Sequence, residues 1–186
     1  VILLLLFAVL GVSIIRIGQL LWLHLFLGVI LAAPVGIKLA STGYRFTRYY
    51  TGSLPYRRKG PPNPVMRALG PVVILTTLVV FLTGMLLLVD GPGASSTLRL
   101  LHKVSFFAWL AAVAVHVLGH LAELPASLRA VSRAQGRTAN LPGSRGRVMV
   151  IIGSIAVGLV LALLLQPDIH TWTSASGFHS PYLRQR

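Results

Sequence analysis

Five apolar runs, set apart by polar or turn-forming stretches, organise the chain. They cover Val1 to Ile15, Leu20 to Leu39, Ala68 to Val89, Leu98 to Leu121 and Val148 to Leu165. A helix rises ~1.5 Å per residue and the hydrocarbon core of a bilayer is ~30 Å thick, so about 20 apolar residues make a span. The pattern predicts an all-α integral membrane protein. Its expected form is a helical bundle of four to five transmembrane helices, a single transmembrane domain over 1–186. The first run is short for a span and begins abruptly, so it reads as the visible end of a longer helix. A signal peptide is the competing reading, but the run has no basic leader and no small-residue cleavage site. Arg16, Gly18 and Gln19 then break the apolar pattern and predict a short interfacial turn. A single helix from Val1 to Leu39 would be about 58 Å long, well beyond the bilayer core. Pro34 and Gly36 allow a kink late in the second run, where neighbouring helices re-satisfy the freed carbonyl.

The connections are as informative as the runs. Residues 40–67 and 122–147 are polar and basic, Asp90-Gly91-Pro92-Gly93 is a turn, and 166–186 reads as a polar outer tail. Seven lysines and arginines fall in 38–67 and five in 122–147, whereas Asp90 to Leu98 has none. The positive-inside tendency therefore puts both basic loops in the cytoplasm, with the short turn and the tail outside; Arg184 and Arg186 run mildly against this. Five crossings then leave the N-terminus inside. Tyr44, Phe46, Tyr49, Tyr50 and Tyr56 form an expected interfacial aromatic belt.

Composition supports the same class, with 55% hydrophobic and 11% charged residues among 186. The net charge of +14 is distributed between apolar runs, so it reads as topological charge and not as a nucleic-acid surface. With no cysteine, the chain cannot itself ligate an iron–sulfur cluster, form a disulfide or attach haem covalently.

The candidate chemistry lies in the run Leu98 to Leu121, which carries His102, His116 and His120. Fourteen residues of helix separate the first two by ~21 Å and about 40°, so they share a face, and His120 follows one turn after His116. Ionisable side chains within a membrane helix are uncommon and usually functional, and imidazole is a preferred axial ligand for haem iron. His24 stands near the start of Leu20 to Leu39. Under the predicted topology the two histidine-bearing helices run in the same direction, with His24 and His102 at similar depth near the outer surface. They are the expected bis-histidine pair for one haem. Gly28, one turn after His24, either lets a flat macrocycle approach the backbone or serves helix packing. A second, inner site is open: His116 or His120 with Lys38, one histidine alone, or no haem. Lys38 stands fourteen residues after His24, where a histidine would complete the repeat; otherwise it snorkels to the cytoplasmic surface.

Arg16, Arg99 and Lys103 are placed to pair with haem propionates at the outer level or to anchor the interface, and Arg45 and Arg48 have the same two roles inside. Trp22 and Trp109 read as packing or belt residues. Glu123 and Asp168 are isolated helix-end carboxylates. His170 and His179 belong to the outer tail.

The stretches WLHLFLGV and LHKVSFFAWLAAVAVHVLGH resemble the bacterial b-type membrane cytochromes: the cytochrome b561-like group, the ferric-reductase transmembrane domains and the cytochrome b subunits of formate dehydrogenases and hydrogenases. The resemblance covers most of Leu20 to Leu121. It implies haem b (one expected, a second open), electron transfer across a bacterial inner membrane, exchange with quinone and a partner redox subunit. The chain would then be the electron-transfer subunit of an oxidoreductase complex. That family pattern has four matched ligands on two helices, and this chain departs from it at Lys38. Two haem-free readings compete: a metal or proton transporter using the same histidines, and a structural anchor. Intramembrane acids, which cation pathways usually use, are missing from the runs.

Overall fold

A computed structural model describes residues 2–52, 64–121 and 144–175, all in helices or the tight turns between them. The helices are α1 (Ile2–Ile15), α2 (Ile17–Tyr50), α3 (Pro64–Asp90), α4 (Ser96–Leu121), α5 (Ser144–Leu164) and α6 (Gln166–Ala175). Three of them, α2, α3 and α4, are long and apolar enough to cross a membrane, and a fourth crossing arises if α5 and α6, bent by 55°, count as one broken span. At 14 residues α1 is ~21 Å long, short of a ~30 Å core.

The chain turns back on itself at Arg16, whose carbonyl accepts from the N–H groups of Gln19 (2.8 Å) and Leu20 (2.9 Å). Leu20 is non-helical, at φ −114° and ψ 21°, and this kink lets α1 fold antiparallel against α2. The second run then stays helical past Leu39 to Tyr50, taking eleven residues expected in the basic loop. Those residues keep helical spacing, and Ser41, Thr42 and Thr47 each donate to a carbonyl three or four residues back. Pro34 sits inside α2 without ending it. At its far end Tyr50 meets Arg67 of α3, which donates to the phenol and lies 4.9 Å over its ring.

α3 and α4 form the second antiparallel hairpin, joined around Gly91, whose φ of 78° suits glycine. Their register is set by three cross-helix contacts: Met66 with Gly119, Thr77 with Trp109, and Thr83 with His102. α2 is also antiparallel to α3, since Tyr50 meets Arg67 while Val29 and Leu88 share a core cluster. It follows that α2 and α4 are co-directional. α5 packs antiparallel along α2, so closely that a Cβ on Gly158 would overlap the Ile30 carbonyl.

Burial is distributed as a bilayer would require. Ser13, Thr77, Thr83, Ser105 and Ser154 are buried, whereas Leu75, Leu82, Leu86 and Val89 line an exposed face of α3. Water would penalise such a face, whereas lipid tails do not. The apolar core gathers at one end, where Val29, Leu88, Ala162 and Ile169 meet with Phe26, Met85 and Trp172 around them. Two of these belong to 166–175, so the first part of the expected polar tail is instead a helix docked into the bundle. Trp172 donates to the carbonyls of Leu87 (3.1 Å) and Leu88 (3.3 Å) in the last turn of α3, where the Leu87 carbonyl also accepts from the Gly91 N–H at 3.1 Å.

Candidate functional site

The site begins with two hydroxyls that no spacing rule would select. Ser13, in α1, is fully buried and donates to the Leu10 carbonyl at 2.5 Å. Its oxygen lies 3.1 Å from His24 Nδ1. A serine has one hydroxyl proton, and here the carbonyl takes it. The contact with His24 is therefore an Nδ1–H donating to the serine oxygen.

The second histidine repeats this arrangement on other helices. Thr83, in α3, donates to the Val79 carbonyl at 2.7 Å, with the Val80 carbonyl at 3.1 Å. Its oxygen lies 3.0 Å from His102 Nδ1. The nearby Ser105 is no competing donor, because its own proton goes to the His102 carbonyl at 2.9 Å. Again Nδ1 carries the proton.

Both imidazoles thus have the Nδ1–H tautomer, with a lone pair on Nε2. Among the described residues neither Nε2 meets a side-chain partner. This is the tautomer a metal-ligating histidine adopts when an outer oxygen orients its ring. The two rings lie within electrostatic reach of one another, though α2 and α4 nowhere approach within 8 Å backbone to backbone among the described residues. α3 and α1 bridge them: Phe7 of α1 packs on Phe81 (6.3 Å) and on Trp109 of α4 (5.2 Å). Gly84 lies against His102, where an added Cβ would sit 3.0 Å from Cε1. Beside Gly28 the space is open, so this glycine is not a close helix contact among the described residues.

The remaining candidates divide. Arg99 donates to the carbonyls of Ala94 and Pro92 and lies 5.4 Å over the Trp172 ring, which commits it to holding the turn between α3 and α4. Arg16 and Lys103 are exposed, as are Lys38, Arg45 and Arg48 on α2. His116 is half-buried on α4. The His120 side chain, together with Tyr56, Glu123 and His179, lies outside the described residues. Trp109 donates to Thr77 at 3.0 Å, as a packing residue would. His170 is in α6, facing a cavity with Trp22. Among the described residues no group of three or more histidines and carboxylates comes together.

Sequence reasoning found both histidines but missed Ser13 and Thr83. The available signal was a lone hydroxyl inside an apolar helix. Its partner depended on hairpin register, which differs between the two pairs: eleven residues separate Ser13 from His24 and nineteen separate Thr83 from His102. No family model, curated protein or solved structure matches the chain.

Proposed function

We propose that the chain is a b-type membrane cytochrome, holding one haem between His24 and His102 and passing electrons between a quinone pool and a partner redox protein. The observation that carries this reading is the pair of histidines on co-directional helices, each with Nδ1 within 3.1 Å of a buried hydroxyl on a neighbouring helix, a contact that suits the Nδ1–H tautomer. The donor set suits iron. Two neutral imidazoles offer Nε2 lone pairs, Ser13 and Thr83 hold the rings, and Gly28 leaves open space along α2. When bound, haem supplies the one-electron iron couple. The rest of the work falls to the chain, which fixes the tautomers, orients the rings and surrounds them with apolar side chains that exclude water.

The same reading takes α1 as a fifth crossing, the basic loops as cytoplasmic and the membrane as the bacterial inner membrane. A second haem at His116 or His120 belongs to it as an extension.

The test is the visible spectrum of the purified protein from haem-replete cells, before and after dithionite. A low-spin b-type Soret and α band is expected, with a pyridine haemochrome count of one per chain, or two if the inner site is used. His24→Ala and His102→Ala should each remove the outer haem, whereas His116→Ala should leave it. If no haem band appears, the same hydroxyl–histidine bonds are interhelical fastenings and the protein is a structural anchor. Such bonds are worth about 0.6 kcal/mol on average inside a membrane, enough for that role.

A further inference from the structure

α2 and α5 touch at one level and part at another. At Gly158 they are so close that an added Cβ would overlap the Ile30 carbonyl. Further toward the Tyr50 end of α2 they have separated, and beside Gly36 and Gly153 an added Cβ would meet nothing within 4 Å. The result is a groove of about 590 Å³, with Ala33, Gly36 and Ile37 on one wall and Val150, Gly153 and Ser154 on the other. That volume is within the ~300–1,000 Å³ range of small-molecule sites. Ile37 is 45% exposed, so the groove opens sideways to the surroundings of the bundle. Among the described residues lining it, Ser154 alone is polar, and its hydroxyl donates back to the Ile151 carbonyl at 2.8 Å. Such walls suit an alkyl chain and not a polar head.

The helical repeat says what stands at the mouth of the groove. Ile30, Ile37 and Tyr44 recur every seven residues, which at ~100° per residue keeps them within about 40° on the face of α2 turned to α5. Arg48 follows one turn after Tyr44. In α5, Arg147 holds the position seven residues before Ser154. Tyr44 is 59% exposed, and Arg48 is exposed too. The apolar run ends at Leu39, so Tyr44 lies ~7.5 Å further along the axis, within the head-group layer that flanks the hydrocarbon core. Side chains on a helix lean toward its N-terminus, which brings Arg48 back from the aqueous side to the same level. Among the described residues the carboxylates are Asp90 and Asp168, both at the opposite end of the bundle, so neither neutralises this mouth. A second copy of the chain fits poorly here, since each copy carries a net charge of +14 and two such mouths would repel. An anion with an apolar tail complements both parts.

We propose that this groove holds one anionic phospholipid of the bilayer, with an acyl chain between α2 and α5 and the phosphate against Tyr44 and Arg48. Arg48 supplies charge-assisted hydrogen bonds to the phosphate oxygens, for which the ammonium of a zwitterionic lipid would compete. The site is one defined place, beyond the general attraction of basic loops for an anionic leaflet. It depends on the bilayer and not on the haem.

The experiment uses the full chain, purified in mild detergent and stripped of lipid. It is titrated with phosphatidylglycerol, or with phosphatidylcholine of the same acyl chains, and native mass spectrometry counts the lipids retained. One phosphatidylglycerol per chain is expected at about one-tenth of the concentration that phosphatidylcholine needs. Arg48→Gln should remove this preference. Lys38→Gln takes away the same charge about 160° round the helix from Gly36 and should keep it. Gly36→Leu/Gly153→Leu fills the groove at two open positions and should abolish the retained lipid with helical circular dichroism unchanged. Arg48→Gln needs no repacking and carries the test if that double variant does not fold. Equal retention of the two lipids, a preference lost as fully in Lys38→Gln, or retention undiminished by filling the groove overturns the inference. So does a lipid-free mass of two chains that falls to one when the groove is filled, which would make the occupant a second copy. The readout counts lipid and not haem, so failure of the cytochrome reading leaves it unaffected.

Discussion

At Ser13 a single proton settles the chemistry of a histidine on another helix. Because the Leu10 carbonyl takes the hydroxyl hydrogen, His24 has to donate from Nδ1 and present Nε2. Thr83 does the same for His102. These oxygens raise the basicity of the opposite nitrogen, as partners of metal-bound imidazole do. Under the proposed haem ligation, Ser13→Ala and Thr83→Val should therefore weaken haem retention about 10-fold or more. They should also move the midpoint potential upward, since a less basic ligand stabilises the ferric state less. Haem titration of the apoprotein and a redox titration read the two effects, and unchanged values in both variants would reject the role. Gly84→Ala probes the same ring at Cε1. The new methyl group would stand 3.0 Å from Cε1, so the His102 ring must move by a few tenths of an ångström. An altered low-spin electron paramagnetic resonance signal is the expected readout, with the Thr83 bond lengthened.

Among the helices, small residues decide which pairs can approach. Gly158 lets α5 lie on the Ile30 carbonyl of α2, an approach any side chain would prevent. Gly158→Leu should cost about 1–3 kcal/mol through overpacking, measurable as a lower midpoint in denaturant unfolding of the detergent-solubilised protein. α6 is held differently, by one large residue. Trp172 caps the Leu87 and Leu88 carbonyls and receives the Arg99 guanidinium on its ring. Trp172→Leu should release this end of α6, seen as faster amide exchange over 166–175 with little change over α2. The turn at Arg16 and the α3–α4 hairpin were legible from breaks in the apolar pattern, whereas the kink falls at Leu20, which carries no breaker signal, and not at Pro34. The extension of α2 to Tyr50 was partly legible: the glycines and prolines of the basic stretch gather after Tyr50, but residues 40–50 are polar and aromatic, so polarity alone put the end of the span at Leu39.

For the whole molecule, the exposed apolar faces of α3, α4 and α5 place the protein in a bilayer, and the charge bias proposes which way it faces. The chain has no cysteine, so single introduced ones report cleanly. Thr51→Cys, at the end of α2, should react with a membrane-impermeant maleimide only from the cytoplasmic side. Thr97→Cys, in the first turn of α4, should react only from outside. The reverse pattern would refute the orientation, and with it the placing of the His24–His102 pair near the outer surface.

What the order of residues determined by itself was class and inventory: helices, a membrane, and imidazoles spaced to share a face. These follow from hydropathy and the 3.6-residue repeat, which act locally along the chain. What only the tertiary structure decided was partnership. Ser13 with His24, Thr83 with His102, and Trp22 with Gln166 and His170 each join groups on different helices. Such pairings depend on hairpin register, on glycine-sized approaches and on the bend between α5 and α6. None of these is a property of any one segment, because each is set by how two helical surfaces fit together.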